Sequence, residues 1–261
     1  MKQTLITATC FAATKSIAST TIGNHLSLAE QLTSTSLIET NHPKIITLAK
    51  RITSDAKSQQ AAAMLLHNWV RDEIPFGIPS KFYKTTATES LDEKVGYCNT
   101  KVTLFNALLR ASGIPARMRV VELSAQVLQG LFNPGTPYVD HALTEVFLDG
   151  KWIKIDSYVV DTPLVTAASK KLRASKSKAG FGIHLDGQSE WDGRSDNFIQ
   201  YMNNDAIQNY VLKDHGVFVD VADYYRSAEQ PRNRLSFISG LGIRLGHSAI
   251  NKKIHAIRTA G

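Results

Sequence analysis

The stretch Gly96-Tyr97-Cys98-Asn99-Thr100-Lys101-Val102-Thr103-Leu104-Phe105 decides how the rest of the chain is read. After the cysteine, Val102, Phe105, Leu108 and Leu109 recur at helical spacing. Gly113 is a C-terminal stop signal and Pro115 forbids continuation, so the spacing predicts a helix that starts at Cys98. The first N–H groups of a helix have no intrahelical partner, and the helix dipole is positive at that end. Both effects favour thiolate over thiol, and the thiolate is the nucleophilic form.

About forty residues on, two strand-like runs flank Asp149-Gly150, a strong two-residue turn signal. With the turn there, His141 faces Tyr158 and Leu143 faces Asp156. Side chains alternate with period two, so His141, Leu143, Asp156 and Tyr158 are predicted on one face. His141 and Asp156 become diagonal neighbours, near enough for a carboxylate to orient an imidazole. A cysteine at a helix start, a histidine on a strand and an aspartate beside it have the makings of a Cys–His–Asp triad.

The runs GYCNTKVTLFNALLRASGIPARMRVVEL and DHALTEVFLDGKWIKIDS resemble the transglutaminase-like superfamily. The likeness lies in a cysteine followed by a helix, the LLRASGIPAR passage, and the HA-x-x-EV and W-x-x-x-D strands. It spans roughly residues 45–162. It implies an α+β fold, a papain-like core with helices packed on an antiparallel sheet, followed here by a C-terminal extension. It also implies Cys98 as nucleophile, His141 as base and Asp156 as orienter. Leu143 stands where family members often carry tryptophan, and no motif marks the oxyanion donor, for which the Cys98 N–H and one side chain without a sequence signature are expected.

The boundaries drawn are a lead-in over 1–43, a catalytic core over 44–165 and the extension over 166–261. Helices are expected over 44–53 and over the stripe Ala62, Leu65, Leu66, Trp69 and Val70, the latter capped by Ser54 or Asp55 and leaving His67 on the surface. Residues 76–95 and 124–138 read as loops reaching the cleft, and 116–123 as a strand. Lys170–Lys178 reads as a loop, 198–211 as a loose helix, and 235–250 as a strand, hairpin or tail. Trp152 is expected in the core.

A chain of 261 residues with 43% apolar content can bury a full core. No run approaches the ~20 apolar residues of a membrane helix. Two cysteines, Cys10 and Cys98, make no disulfide framework, and Cys10 has no reactive setting. A cytoplasmic location is expected. The net charge of +7 comes from two acid-free segments, one holding Lys170, Lys171, Arg173, Lys176 and Lys178, the other following Glu229. These read as solvated faces, since no nucleic-acid motif accompanies them. No zinc-ligand spacing occurs, and His184 with Asp186 or Asp192 reads as loop hydrogen bonding rather than a metal site. No cofactor or metal is expected.

The function expected is cysteine-dependent acyl transfer on amide bonds of a protein or peptide substrate through a thioester, with hydrolysis ranked first. The alternatives are protein-glutamine cross-linking and a non-catalytic binding module on the same fold.

Overall fold

Pro43 opens the first helix where the sequence places it. In the computed structural model, which describes residues 26–202, 210–227 and 237–260, α1 (Pro43–Ile52) is capped by His42, whose Nδ1 accepts the Lys44 N–H at 3.2 Å. The expectations for residues 1–25, Cys10 among them, lie outside the described residues. Helix α2 (Gln59–Glu73) is capped by Ser58, not by Ser54 or Asp55. Its inner face is turned by one position from the predicted stripe. Ala62, Leu66 and Val70 of that stripe are buried, with Ala63, His67 and Arg71 beside them, whereas Leu65 is 40% exposed. His67 is thus no surface residue. Its ring packs against Phe105 and Trp191, and its Nε2 hydrogen-bonds the Ser157 hydroxyl at 2.8 Å. Helix α3 (Ala87–Glu93) follows a Thr86–Glu89 capping box.

Helix α4 (Cys98–Ala111) is buried all round from Cys98 to Arg110, so its four-residue apolar stripe understates its burial. Its polar side chains find partners inside the protein. Lys101 Nζ donates to the Arg71 carbonyl at 3.1 Å. Arg110 donates to the carbonyls of Ala116, Thr33 and Val219. Thr144 donates to Asn106 Oδ1 at 2.8 Å. Gly113 ends the helix with φ of +74°, a conformation glycine adopts at no steric cost.

Beyond α4 lies a four-stranded antiparallel sheet, built first from β1 (Ala116–Ser124), β2 (Tyr138–Leu148) and β3 (Lys151–Ile155). The β2–β3 turn has positive φ at both Asp149 and Gly150, and Thr144 pairs with Ile155, the register the turn signal predicts. Val121 pairs with His141. The face bearing Met118, Ala142, Val146 and Ile153 belongs to the same apolar cluster as α4. On the other face Arg117 and Arg119 both reach the buried Glu145. Trp152 is half-buried there beneath the Arg117 guanidinium, 3.9 Å from its ring, rather than in the core.

The strand leaves the sheet after Ile155 and turns, with the Val159 N–H bonded to the Asp156 carbonyl. That turn swings Tyr158 away from His141 to the helix side, where its hydroxyl meets Thr144 and its ring meets Phe105. The predicted sharing of one face holds for His141 and Asp156 and fails for Tyr158. Asp161 then caps α5 (Thr162–Ser175), with Pro163 in its first turn. Lys170–Ser175 therefore ends a helix rather than lying in a loop. Leu164, Ala167, Ala168 and Leu172 bury its inner face, a spacing hidden by the lysines beside it.

Two short strands, β4 (Ala179–Gly180) and β5 (Ile183–His184), pair locally. Residues 198–202 are non-helical, against the loose helix expected from 198 onward, and 203–209 lie outside the described residues. Strand β6 (Val211–Phe218) then pairs with β1, giving the order β3-β2-β1-β6. It is followed by α6 (Val221–Arg226) and α7 (Phe237–Thr259). The latter is a helix where a strand or tail was expected. It packs along α5 and buries Ile254. Arg258 donates to both carboxylate oxygens of Asp161 and to the Phe76 carbonyl. Tertiary packing thus outweighs the glycines of its sequence, each costing about 1 kcal/mol in a helix.

Candidate active site

Cys98 sits at the first position of α4. The preceding Tyr97 N–H is taken by the Thr100 hydroxyl at 3.1 Å, which fixes the entry of the chain into the helix. Cys98 is 8% exposed, and it opens onto a cleft that His141 also lines. His141 reaches the cleft from β2, and Asp156 lies just past the end of β3, fully buried. His141 Nε2 is 2.9 Å from Asp156 Oδ2, which leaves Nδ1 for the thiol. The structure therefore brings all three sequence-singled residues together.

The electrostatics of the ring follow from that placement. Burial is the largest influence on His141 and disfavours its protonated form. Hydrogen bonds to Asp156 and Cys98, with the charges of both, outweigh it and raise the pKa from 6.5 to about 9. His67, by contrast, is pushed down to about 3, because burial dominates and no carboxylate bonds its ring. One histidine is held protonated and the other neutral.

Several groups around the site carried no sequence signal. The Ile199 N–H donates to Asp156 Oδ1 at 2.6 Å, and the Asp156 N–H donates to the Asn197 carbonyl at 3.1 Å. Both Asp156 oxygens are thereby engaged. Tyr201 stands edge-on to the His141 ring, with centroids 6.0 Å apart. Backbone donors have no side-chain identity, so no residue pattern could mark Ile199.

Asn99 was passed over although it adjoins the cysteine. Its Oδ1 lies 3.6 Å from Cys98 Sγ, and its Nδ2 donates to the hydroxyls of Tyr97 (3.4 Å) and Tyr225 (3.3 Å). Tyr225, on α6, carries the C-terminal segment into the same cleft.

Among the described residues no group of three or more His, Cys, Asp or Glu is placed to hold a metal ion. His184 Nδ1 accepts the Asp186 N–H at 3.2 Å, and Asp192 accepts the N–H groups of Arg194 and Ser195, which is loop hydrogen bonding. Among the described residues no helix is long and apolar enough to cross a membrane.

The model of the transglutaminase-like superfamily matches residues 46–157. Among solved structures, a protein of Cytophaga hutchinsonii named as a candidate cysteine protease is 21% identical, with a TM-score of 0.41 over 50% of this chain and 42% of that one. A protein of Parabacteroides distasonis named as a candidate protease is 16% identical, with a TM-score of 0.33 over 49% of this chain and 24% of that one. The chain thus spans less than half the length of either. No curated protein matches the sequence. The segment matched by that model, residues 46–157, contains Cys98, His141 and Asp156, and over it the chain is similar to the transglutaminase-like superfamily.

Proposed function

We propose that the protein is a cysteine-dependent enzyme that cleaves amide bonds by acyl transfer, with Cys98 as nucleophile, His141 as acid and base, and Asp156 as orienter. The observation that carries this reading is the His141 Nε2 to Asp156 Oδ2 bond of 2.9 Å, in a ring whose other nitrogen is left to a thiol at a helix start.

The Cys98 thiolate attacks the carbonyl carbon, and the carbonyl oxygen takes up the negative charge. The Cys98 N–H, at the open end of α4, is a donor for that oxygen. Imidazolium His141 passes its proton to the leaving nitrogen as the C–N bond breaks, which leaves a thioester on Cys98. Water then attacks the thioester while His141 takes its proton. The acid departs, and thiolate and imidazolium are restored. Asp156 keeps the proton on Nε2 when the ring is neutral and stabilises the ring when it is charged. A primary amine in place of water gives transfer instead of hydrolysis, by the same steps.

Asn99 completes the surroundings of the sulfur. An amide oxygen suits a thiol and repels a thiolate. A half-turn of the amide points Nδ2 at the thiolate and lets the Tyr97 and Tyr225 hydroxyls donate to Oδ1.

The test is alkylation of Cys98 by iodoacetamide across pH, read by mass spectrometry, with Cys10 as an internal comparison. Labelling of Cys98 at about pH 6.5 faster than that of Cys10 is expected, and His141→Ala should abolish the difference. A Cys98 that labels no faster than Cys10 at that pH, with or without His141, removes the nucleophile. Peptide hydrolysis with and without an added primary amine then separates the two acceptors.

A further inference from the structure

The thiol chemistry leaves most of the cleft wall unused. Phe76, Ile78 and Phe82 line one part of it, and Leu128, Phe132 and Val139, from β2 and the segment before it, line another. Asn99 and Asp140, the polar neighbours of the reacting pair, also line it, as does Gln200, whose Nε2 is spent on the Gly182 carbonyl at 2.8 Å. Among the described residues no lysine or arginine lines the cleft. A carboxylate side chain entering it would lose water and gain no lysine or arginine partner.

The wall is held in place before any ligand arrives. Asn251 of α7 bonds both the N–H and the carbonyl of Ile78 at 2.8 Å. Gly77 leaves no room for a side chain there, since a Cβ would stand 2.6 Å from Val95 Cγ2 and 2.8 Å from Asn251 Oδ1. The Phe76 N–H donates to Asp161, and its carbonyl accepts from Arg258. Phe82 lies flat on Tyr97, with ring centroids 5.0 Å apart. A preformed apolar wall spends little ordering entropy when it is filled.

Its size narrows the occupant. The cleft encloses about 100 Å³. An apolar cavity of about 150 Å³ takes a benzene ring. That space matches one branched aliphatic side chain, and an indole would have to extend out of it. We infer that the acyl donor is a peptide with a Leu- or Ile-sized side chain next to the scissile carbonyl, and that this side chain fills the cleft beside Cys98. The inference rests on the reading of Cys98 as nucleophile and adds the substrate class to it.

The experiment uses the full chain and a series of acetyl-aminoacyl chloromethyl ketones bearing Leu, Gly, Glu or Trp side chains, with Cys98 labelling rates read by mass spectrometry. The leucyl probe should react about 10- to 100-fold faster than the glycyl, glutamyl and tryptophyl probes. Phe132→Ala, a change at a half-buried wall residue, should raise the tryptophyl rate relative to the leucyl rate by about 10-fold. Iodoacetamide, which has no side chain to place, reports the thiol alone.

Normal iodoacetamide labelling with equal leucyl and glycyl rates overturns the pocket and leaves the nucleophile standing. Should Cys98 react with none of the reagents, the nucleophile fails. Binding of leucyl and glycyl peptide amides to Cys98→Ala, followed by NMR, then decides the pocket alone. Equal binding overturns it, and a preference for the leucyl peptide supports it.

Discussion

Asp156→Asn isolates the charge of the proposed orienter from its shape. His141 holds its proton up to about pH 9, against an ordinary value of 6.5, although burial is the largest single influence and acts the other way. The gap between the two values corresponds to about 3 kcal/mol in favour of imidazolium. Asparagine has nearly the same volume, and its Oδ1 can still accept the Ile199 N–H that now lies 2.6 Å from the carboxylate. What changes is the group opposite His141 Nε2. An amide nitrogen there is a donor, so the ring must present Nε2 bare and carry its proton on Nδ1, the nitrogen left to the thiol. The base is then blocked, and burial is no longer offset by the carboxylate. The His141 pKa should fall below 6.5, so that at about pH 7.5 under a tenth of the rings carry a charge, where nearly all do now. NMR titration of the imidazole C–H signals, assigned with His141→Gln, measures this directly. Turnover should fall by roughly 10²- to 10⁴-fold, with the thermal midpoint little changed. A His141 that remains protonated above about pH 8 in Asp156→Asn, with unaltered Cys98 labelling, would refute the assignment of Asp156 and the argument from hydrogen-bond geometry with it.

Three further outcomes follow from other parts of the structure. His67 is neutral in the folded protein down to about pH 3 but protonates in the unfolded chain near 6.5, so the unfolded state alone gains a proton as pH falls between these values. Stability should drop by about 1.4 kcal/mol per pH unit below 6.5, roughly 3 kcal/mol by about pH 4.5. His67→Gln should remove that slope in urea titrations, and an identical slope in the variant would mean that the acid sensitivity lies elsewhere. Arg258→Ala strips the bidentate partner from Asp161, a side chain only 2% exposed, and should cost roughly 3 kcal/mol in urea unfolding. A loss below about 1 kcal/mol would show that water replaces the arginine. Asn99→Asp sets a carboxylate about where Oδ1 now stands, 3.6 Å from Sγ. It should slow iodoacetamide labelling of Cys98 at about pH 6.5 by 10-fold or more, whereas an unchanged rate would remove Asn99 from the surroundings of the thiolate.

The parts of the fold that local chemistry dictates were legible in the sequence. Cys98 to Gly113, the Asp149-Gly150 turn and the register that follows from it are each fixed within a few residues, by spacing or by turn type. The misread parts depend on what lies opposite. His67 looks peripheral on a helical projection of α2, yet Ser157, Phe105 and Trp191 close around it. The lysines after residue 169 hide a helix whose inner face is small, with two alanines between Leu164 and Leu172. Tyr158 was assigned its face by extending β3 three residues too far. The alternation rule holds only while the strand does, and Asp156 is where the chain turns. In α7, three glycines argue locally against a helix, and a salt bridge to a residue 97 positions away is not written in any local pattern.

Asp156 also ties the two parts of the chain to each other. Its position depends on β3, which delivers it, and on residues 197–199, which engage its backbone N–H and its second oxygen. Those residues are held in turn by the sheet, since Asn197 bonds the Lys154 carbonyl and Ile155 bridges to Asn197. The Asp161–Arg258 pair does similar work at the opposite end of the 156–161 turn, where it fixes α7 and the Phe76 backbone at once. The segment after residue 165 thus contributes in three ways. It clamps Asp156, it adds Tyr225 and Gln200 to the cleft, and through Asn251 it braces the apolar wall at Ile78. A carboxylate with one oxygen on a backbone N–H and the other on an imidazole has little freedom to rotate, so the direction of His141 is set by backbone rather than by a mobile side chain. The motif residues supply Cys98, His141 and Asp156. Their alignment depends on a segment whose own sequence carries weaker motifs.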